Sequence, residues 1–234
     1  MPYLPGSPPI EIILRKSAQT RRFSLRISRL DGRVTLSMPV RAREAEALRF
    51  AAEQEKWIRK TLGNMPLRLG VSVGDMVPIE GQAHQITSTS GRRVLRDGES
   101  LAVPGDPAQA GARVASYLKV LARDRLAEAS DRYAGMVGRR YSRLTLRDTR
   151  SRWGSCAPDG SLMYSWRLAM APPAVLDYVA AHEVAHLVEM NHSPDFWAVV
   201  ESIYPGWKVQ RNWLRVHGQT LHAYRFSSQA AAED

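Results

Sequence analysis

His182-Glu183-Val184-Ala185-His186, followed by Leu187-Val188-Glu189-Met190-Asn191-His192, decides how the rest of the chain is read. On a helix, residues four apart share a face, so His182 and His186 can point at one centre. Glu183 sits one position round, beside that centre rather than on it. Two histidines on a helix face are most often ordinary core or surface residues. Here, however, the chain has 6 His, and three of them fall between positions 182 and 192. At background composition an HExxH string arises by chance in roughly one chain of this length in a hundred.

The flanks support a helix. Pro172 and Pro173 stand where proline is tolerated, at a helix start. Val175 and Val179 extend the histidine face, and Leu176, Ala180 and Leu187 flank it. Asn191 is expected to end the helix in the left-handed conformation. This pattern suits a zinc site in which His182 and His186 are ligands and a water occupies an open position. Glu183 is placed to take that water's proton. Two residues compete for the third ligand. His192 lies just past the helix end, before a new N-cap read in Ser193-Pro194-Asp195. Glu201 lies on the following helix. Ligand type and proximity favour His192. The His186-to-His192 spacing equals that of metzincins, but Glu189 occupies their glycine position, so that assignment is not supported.

At 234 residues the chain can bury a full core. Met1 to Pro9 lacks a basic region and an apolar run, so no signal peptide is read there. No stretch is long and apolar enough to span a membrane. A single cysteine excludes an intrachain disulfide and fits a reducing cytoplasm. Net charge is +10 but uneven: residues 1–60 hold 13 basic and 6 acidic side chains, and residues 161–234 hold 5 and 7. The excess lies outside the segment with the histidines. It raises nucleic acid as a partner, against the simpler reading of a solvated arginine-rich surface. A nucleic-acid-associated protein, binding through its basic N-terminal half, is therefore the alternative function.

Short strands are expected at Ile10–Leu14, Phe23–Ile27 and Val34–Met38, with an Asp31-Gly32 hairpin between the last two. Ala42–Leu62 reads as one helix and Gly70–Val103 as a small antiparallel sheet. Ala108–Tyr133 reads as a long amphipathic helix. Ser151–Cys156 and Leu162–Leu168 form a hairpin, followed by the histidine helix, a short helix from Pro194 and a last one over Val209–His217. The expected architecture is α+β. A β-rich N-terminal module with one helix covers 1–105, a catalytic domain covers 106–226, and 227–234 forms a flexible tail. Ser151-Arg152-Trp153-Gly154-Ser155-Cys156 reads as an edge strand beside the histidine helix, with Gly154 allowing close backbone approach. Such an edge can bind an extended peptide. Arg152 offers a cation to a carboxylate or an oxyanion. Tyr164 and Tyr204 are further candidates for an oxyanion contact. Cys156 is read as a small buried thiol, with metal ligation or redox switching as rivals.

These residues together resemble the YgjP-like family of zinc-dependent metallopeptidases. The match is carried by Arg152-Trp153-Gly154-Ser155-Cys156, Trp166-Arg167-Leu168, Asp177-Tyr178-Val179 leading into the histidine motif, and Asn191-His192-Ser193 with Phe196-Trp197. Tyr204-Pro205 with Trp207 fits as well, and Arg21-Arg22, Leu25-Arg26-Ile27 and Trp57-Ile58 are similar to that family's front end. The resemblance implies a zincin-like domain with the histidine helix packed beside a small sheet. It implies one Zn2+ held by His182, His186 and His192, Glu183 as catalytic base, and a peptide or protein substrate. More loosely, the chain resembles SprT-like proteases, whose HExxH domains act on proteins crosslinked to DNA. One departure is Ser165, where the family pattern has Asn.

Overall fold

The computed structural model describes residues 2–28, 32–63 and 69–226. The chain divides by contact into two compact units, Met1–Leu67 and Arg68–Asp234. In the first unit, β1 (Tyr3–Leu4), β2 (Ile10–Ser17), β3 (Ser24–Ile27) and β4 (Val34–Pro39) form one sheet in the order β1-β2-β4-β3. Along β4, Val34, Leu36 and Met38 are buried and their neighbours less so, as the two-residue period of a strand requires. They pack with Ile12 and with Ile58 of the following helical segment. The helix expected over 42–62 is two helices, α1 (Glu44–Glu53) and α2 (Glu55–Gly63). The interruption is Gln54 alone, whose N–H still bonds the carbonyls of Phe50 and Ala51. β3 pairs antiparallel with β4, as a hairpin would, but Asp31 of the expected turn lies outside the described residues.

The second unit opens with β5 (Leu69–Gly70), β6 (Met76–Ile79), β7 (Gln82–Thr89), β8 (Leu95–Asp97) and β9 (Ser100–Pro104). Here the expected antiparallel sheet is corrected to a mixed one. β7 and β9 run parallel at its centre, in the order β6-β7-β9-β8. β8 turns back against the outer edge of β9 instead of pairing with β7, which leaves β9 in the same direction as β7. The β6–β7 turn uses Glu80 at φ 50° and Gly81 at φ 80°, the paired left-handed conformation of a tight hairpin.

The tip of that hairpin bonds chain on the far side of position 105/106, the domain boundary expected from the sequence. Glu80 donates its N–H to the Ala169 carbonyl at 2.7 Å, and Gly81 donates to Met170 at 3.1 Å. Ile79, Ile86 and Leu101 of the sheet share one buried cluster with Val114, Leu118 and Leu126. Those last three lie on α3 (Ala110–Met136), the long helix expected from the sequence. The tail assigned to 227–234 lies outside the described residues.

After α3 come β10 (Arg143–Arg147), β11 (Gly154–Cys156) and β12 (Ser161–Ser165), in the order β10-β12-β11. β10 is parallel to β12 and β11 antiparallel to it, so β11 is an edge strand. A 3-10 turn over Trp166–Met170 leads to α4 (Pro173–Ala185), α5 (Pro194–Ile203), α6 (Trp207–His217) and β13 (Tyr224–Arg225). α4 carries the histidine motif and is buried on nearly every side, so it is apolar almost all round rather than amphipathic. No helix among the described residues is long and apolar enough to cross a membrane.

Two glycines of α3 should respond oppositely to alanine. A Cβ on Gly111 would lie 2.7 Å from the Val71 carbonyl and 2.8 Å from that of Phe226, both backbone atoms. Gly111→Ala is expected to cost roughly 1–3 kcal/mol through overpacking. Gly135 has nothing within 4 Å of its added Cβ. Gly135→Ala should stabilise by up to about 1 kcal/mol through helix propensity. Thermal unfolding of both variants checks the opposite signs.

Candidate metal centre

α4 begins at Pro173, whose missing N–H costs nothing in a first turn. It ends as an α-helix at Ala185, earlier than expected. Leu187 and Val188 donate to the carbonyls three residues back, a tightened turn that satisfies the helix end. Asn191 is not left-handed, which corrects the expected C-cap. Ser193 caps α5 by accepting from the Phe196 N–H at 3.2 Å, with Pro194 in its first turn. His192 is thereby held between two helix ends.

The three imidazoles converge. Ligand-type nitrogens of His182, His186 and His192 all lie within 4.8 Å of one another, and His192 Nε2 is 3.1 Å from His182 Nε2. Three nitrogens bonded to one tetrahedral zinc stand about 3.4 Å apart, given bonds of roughly 2.0–2.1 Å. His186 Nδ1 lies 3.0 Å from the Glu189 carbonyl. That contact uses one ring nitrogen and leaves Nε2 for a metal, the usual outer-sphere arrangement. Burial pushes the His182 imidazole down to about 3, helped by the positive potential of His186, His192 and Arg211. Burial lowers His186 as well. Neutral imidazoles are what a cation needs, so the donor set fits zinc. Glu201 is exposed and stands outside this cluster.

Aromatic rings fix the triad. Phe196 stacks on His186 with centroids 4.4 Å apart and meets His182 edge-on at 5.0 Å. Tyr178 meets His182 edge-on from one helical turn earlier, at 5.9 Å. The i, i+4 rule that finds the histidine pair also marks Tyr178, but Phe196 and Trp197 arrive from α5, and nothing local in the sequence signals their contact.

Glu183 is buried against β11. Its carboxylate accepts from the Cys156 backbone N–H. A Cβ on Gly154 would lie 2.5 Å from both Glu183 Cγ and Oε1, so only glycine leaves room for the carboxylate. The close approach expected at Gly154 is thus an approach of Glu183. Burial raises the Glu183 carboxyl to about 8, opposed by Arg152 and the Cys156 N–H. Arg152 lines the same cleft of ≈ 220 Å³ with Trp153, Tyr178, His182, Glu183 and Leu214. Cys156 is half-buried and stands outside the ligand cluster; burial first, and Glu183 next, push its thiol up to about 11. That makes it a poor thiolate.

Two expected oxyanion candidates are corrected. Tyr164 is fully buried and its hydroxyl bonds Ser130 at 3.0 Å, because its strand position faces the core. Tyr204 donates to the Ala174 carbonyl at 2.9 Å. Ala174 is eight residues before His182, about 12 Å along the helix. There Tyr204 lines a larger cavity of ≈ 460 Å³. The polar groups of that cavity already pair with each other, Arg125 with Glu80 and Arg132 with Asp177. The Ser165 hydroxyl is fully buried with no partner among the described residues.

The fold is an α+β, zincin-like domain whose site joins a buried carboxylate to three convergent imidazoles. The chain belongs to the YgjP-like metallopeptidase family, whose model, described as YgjP-like, metallopeptidase domain, matches residues 21–217. It is therefore a metallopeptidase. It is also similar to the crystal structure of the metallopeptidase zymogen of Pyrococcus abyssi abylysin, at 22% identity, 42% of this chain and 93% of that one, with a TM-score of 0.34. No curated protein matches it.

A double-mutant cycle tests the Gly154–Glu183 fit. Gly154→Ala alone should destabilise by roughly 1–3 kcal/mol. In a Glu183→Ala background most of that cost should disappear, leaving a coupling of at least about 1 kcal/mol in denaturant unfolding.

Proposed function

We propose that the chain is a zinc peptidase in which His182, His186 and His192 hold the ion and Glu183 moves the proton. Zinc held by three neutral imidazoles supplies a Lewis acid and lowers the pKa of water to about 7. The observation that carries the reading is the placement of Glu183, buried beside the triad and aimed at the edge of β11. Its raised proton affinity suits a base that takes a proton from the attacking water and delivers it to the leaving amine.

The edge strand supports a peptide substrate. Trp153 accepts from Ser165 at 2.8 Å and Ala157 donates to Ser161 at 3.0 Å, so odd-numbered residues bond β12. Gly154 and Cys156 therefore turn their backbone groups the other way, toward Glu183 and the cleft. With the Cys156 N–H taken by Glu183, an extended chain laid along that edge would bond the backbone of Gly154 and pass the triad. Arg152, exposed and in no ion pair among the described residues, lines the same cleft and would be the side chain to meet a polarised carbonyl oxygen.

Purified protein should hold about one zinc per chain by elemental mass spectrometry, and His186→Ala should lose it. Glu183→Gln should keep the zinc and lose roughly 10²- to 10⁴-fold in kcat/KM on a cleavable peptide. Full activity in that variant would remove Glu183 from the mechanism.

A further inference from the structure

Helix α6 carries no acidic residue, although residues 161–234 hold 7 acidic and 5 basic side chains. Three of those five basic residues, Lys208, Arg211 and Arg215, share one face of α6 with Asn212, at the i, i+3, i+4, i+7 spacing. All four are exposed, and with Trp207 they line a groove of ≈ 530 Å³. None of the three cations has a carboxylate partner among the described residues. Arg215 instead donates to the Asn212 side chain at 2.8 Å.

Arg211 lies over Trp197 at 5.0 Å and Trp207 at 5.7 Å, and those two indoles stack 4.1 Å apart. This pins a guanidinium at a fixed place instead of leaving it on a mobile stem. Trp197 in turn packs 5.7 Å from His182 and 5.9 Å from His192. The positive potential of Arg211 reaches both His182 and Tyr178. Leu214, between the basic residues on the same helix, walls the cleft that Arg152 also lines. An unneutralised basic stripe therefore runs about 10 Å along α6, the span of roughly three residues of extended chain, with Trp197 between its Arg211 and the triad.

We infer that α6 is a substrate subsite for acidic peptide, in which Lys208, Arg211 and Arg215 bind side-chain carboxylates close to the bond that is cut. The inference rests on the peptidase reading and names its substrate class. A protein segment is favoured over nucleic acid because Leu214 of the same helix lines the cleft with Gly154 of the edge strand, where an extended peptide is proposed to lie. It also spans only a few residues, on a segment whose overall balance is acidic.

The test is binding to zinc-loaded Glu183→Gln protein, followed by fluorescence anisotropy. The probes are three labelled peptides of equal length, rich in Glu, Gln or Lys, and a single-stranded oligonucleotide of the same charge as the Glu peptide. The Glu peptide should bind about three- to a hundred-fold more tightly than the Gln peptide at low salt, as three exposed ion pairs allow. The preference should shrink with added salt. It should vanish in Lys208→Gln/Arg211→Gln/Arg215→Gln. Because Arg211 packs on tryptophans, Lys208→Gln/Arg215→Gln serves as the gentler variant and should lose part of the preference. Equal binding of the three peptides, or a preference that survives the triple change in folded protein, overturns the inference. Tighter binding of the oligonucleotide through the same residues also overturns it, in favour of a nucleic-acid surface. Wild-type protein is assayed for cleavage of the same peptides. Cleavage with no acidic preference sinks the inference and leaves the peptidase reading standing. Acidic preference without any cleavage sinks the peptidase reading and leaves acidic-peptide binding intact.

Discussion

The contact between Glu183 and the backbone of Gly154 is the constraint on which the site depends. A carboxylate is costly to bury, and this one is accommodated by a backbone N–H from Cys156 and by the space a missing side chain leaves. That fit sets the rotation of α4 about its axis. Once Glu183 faces β11, the helical period puts His182 and His186 on the adjoining face, where the turn after Glu189 returns His192. Displacing β11 would misplace the carboxylate without touching a histidine.

Several features hold β11 and α4 in that relation. Arg167, just after β12, donates to Asp148 at 2.7 Å and to the carbonyls of Leu221 and Tyr224 at 2.8 and 3.0 Å. It thereby ties the chain before β11 to the segment after α6. Trp153 stacks on His222 at 4.9 Å and sits so close to Gly218 that a Cβ there would meet its ring at 3.0 Å. From the other side, Arg132 and Tyr133 of α3 both bond Asp177 of α4. These polar links join helices and strands that are otherwise held by apolar packing, and each fixes a direction that packing alone leaves free.

The parts of this arrangement legible in the sequence are those governed by local periodicity or local backbone chemistry. The histidine face, the Ser193 cap and the small residue at 154 all follow from spacing or residue type. The parts that were not legible are long-range. That β7 and β9 pair in parallel depends on where β8 docks. That Ile79, Ile86 and Leu101 share a core with α3, and that the β6–β7 hairpin tip bonds Ala169 and Met170, are likewise long-range. Tyr164 and Tyr204 were attractive by residue type, yet their hydroxyls are committed to Ser130 and Ala174, which only the packed fold reveals. Arg211 and Phe196 reach the triad from other helices, and no spacing within the histidine motif points to them.

Burial acts on the site in one direction, and its chemistry uses that fact twice. Desolvation disfavours charge, so it lowers the imidazoles of His182 and His186 and raises the carboxyl of Glu183. On the proposed function, neutral imidazoles would be free to ligate and the carboxyl would have the proton affinity of a base. Arg152 opposes this trend at Glu183 from the rim, where solvent keeps its own charge inexpensive. Burial of His182, His186 and Glu183, with Arg152 exposed beside them, therefore sets the proton affinities of the cluster. Beyond the cleft, Lys208, Arg211 and Arg215 give α6 a basic face inside the most acidic stretch of the chain. Net charge by segment conceals that face, because Asp177 of α4 is paired with Arg132 while the basic residues of α6 share one side of their helix.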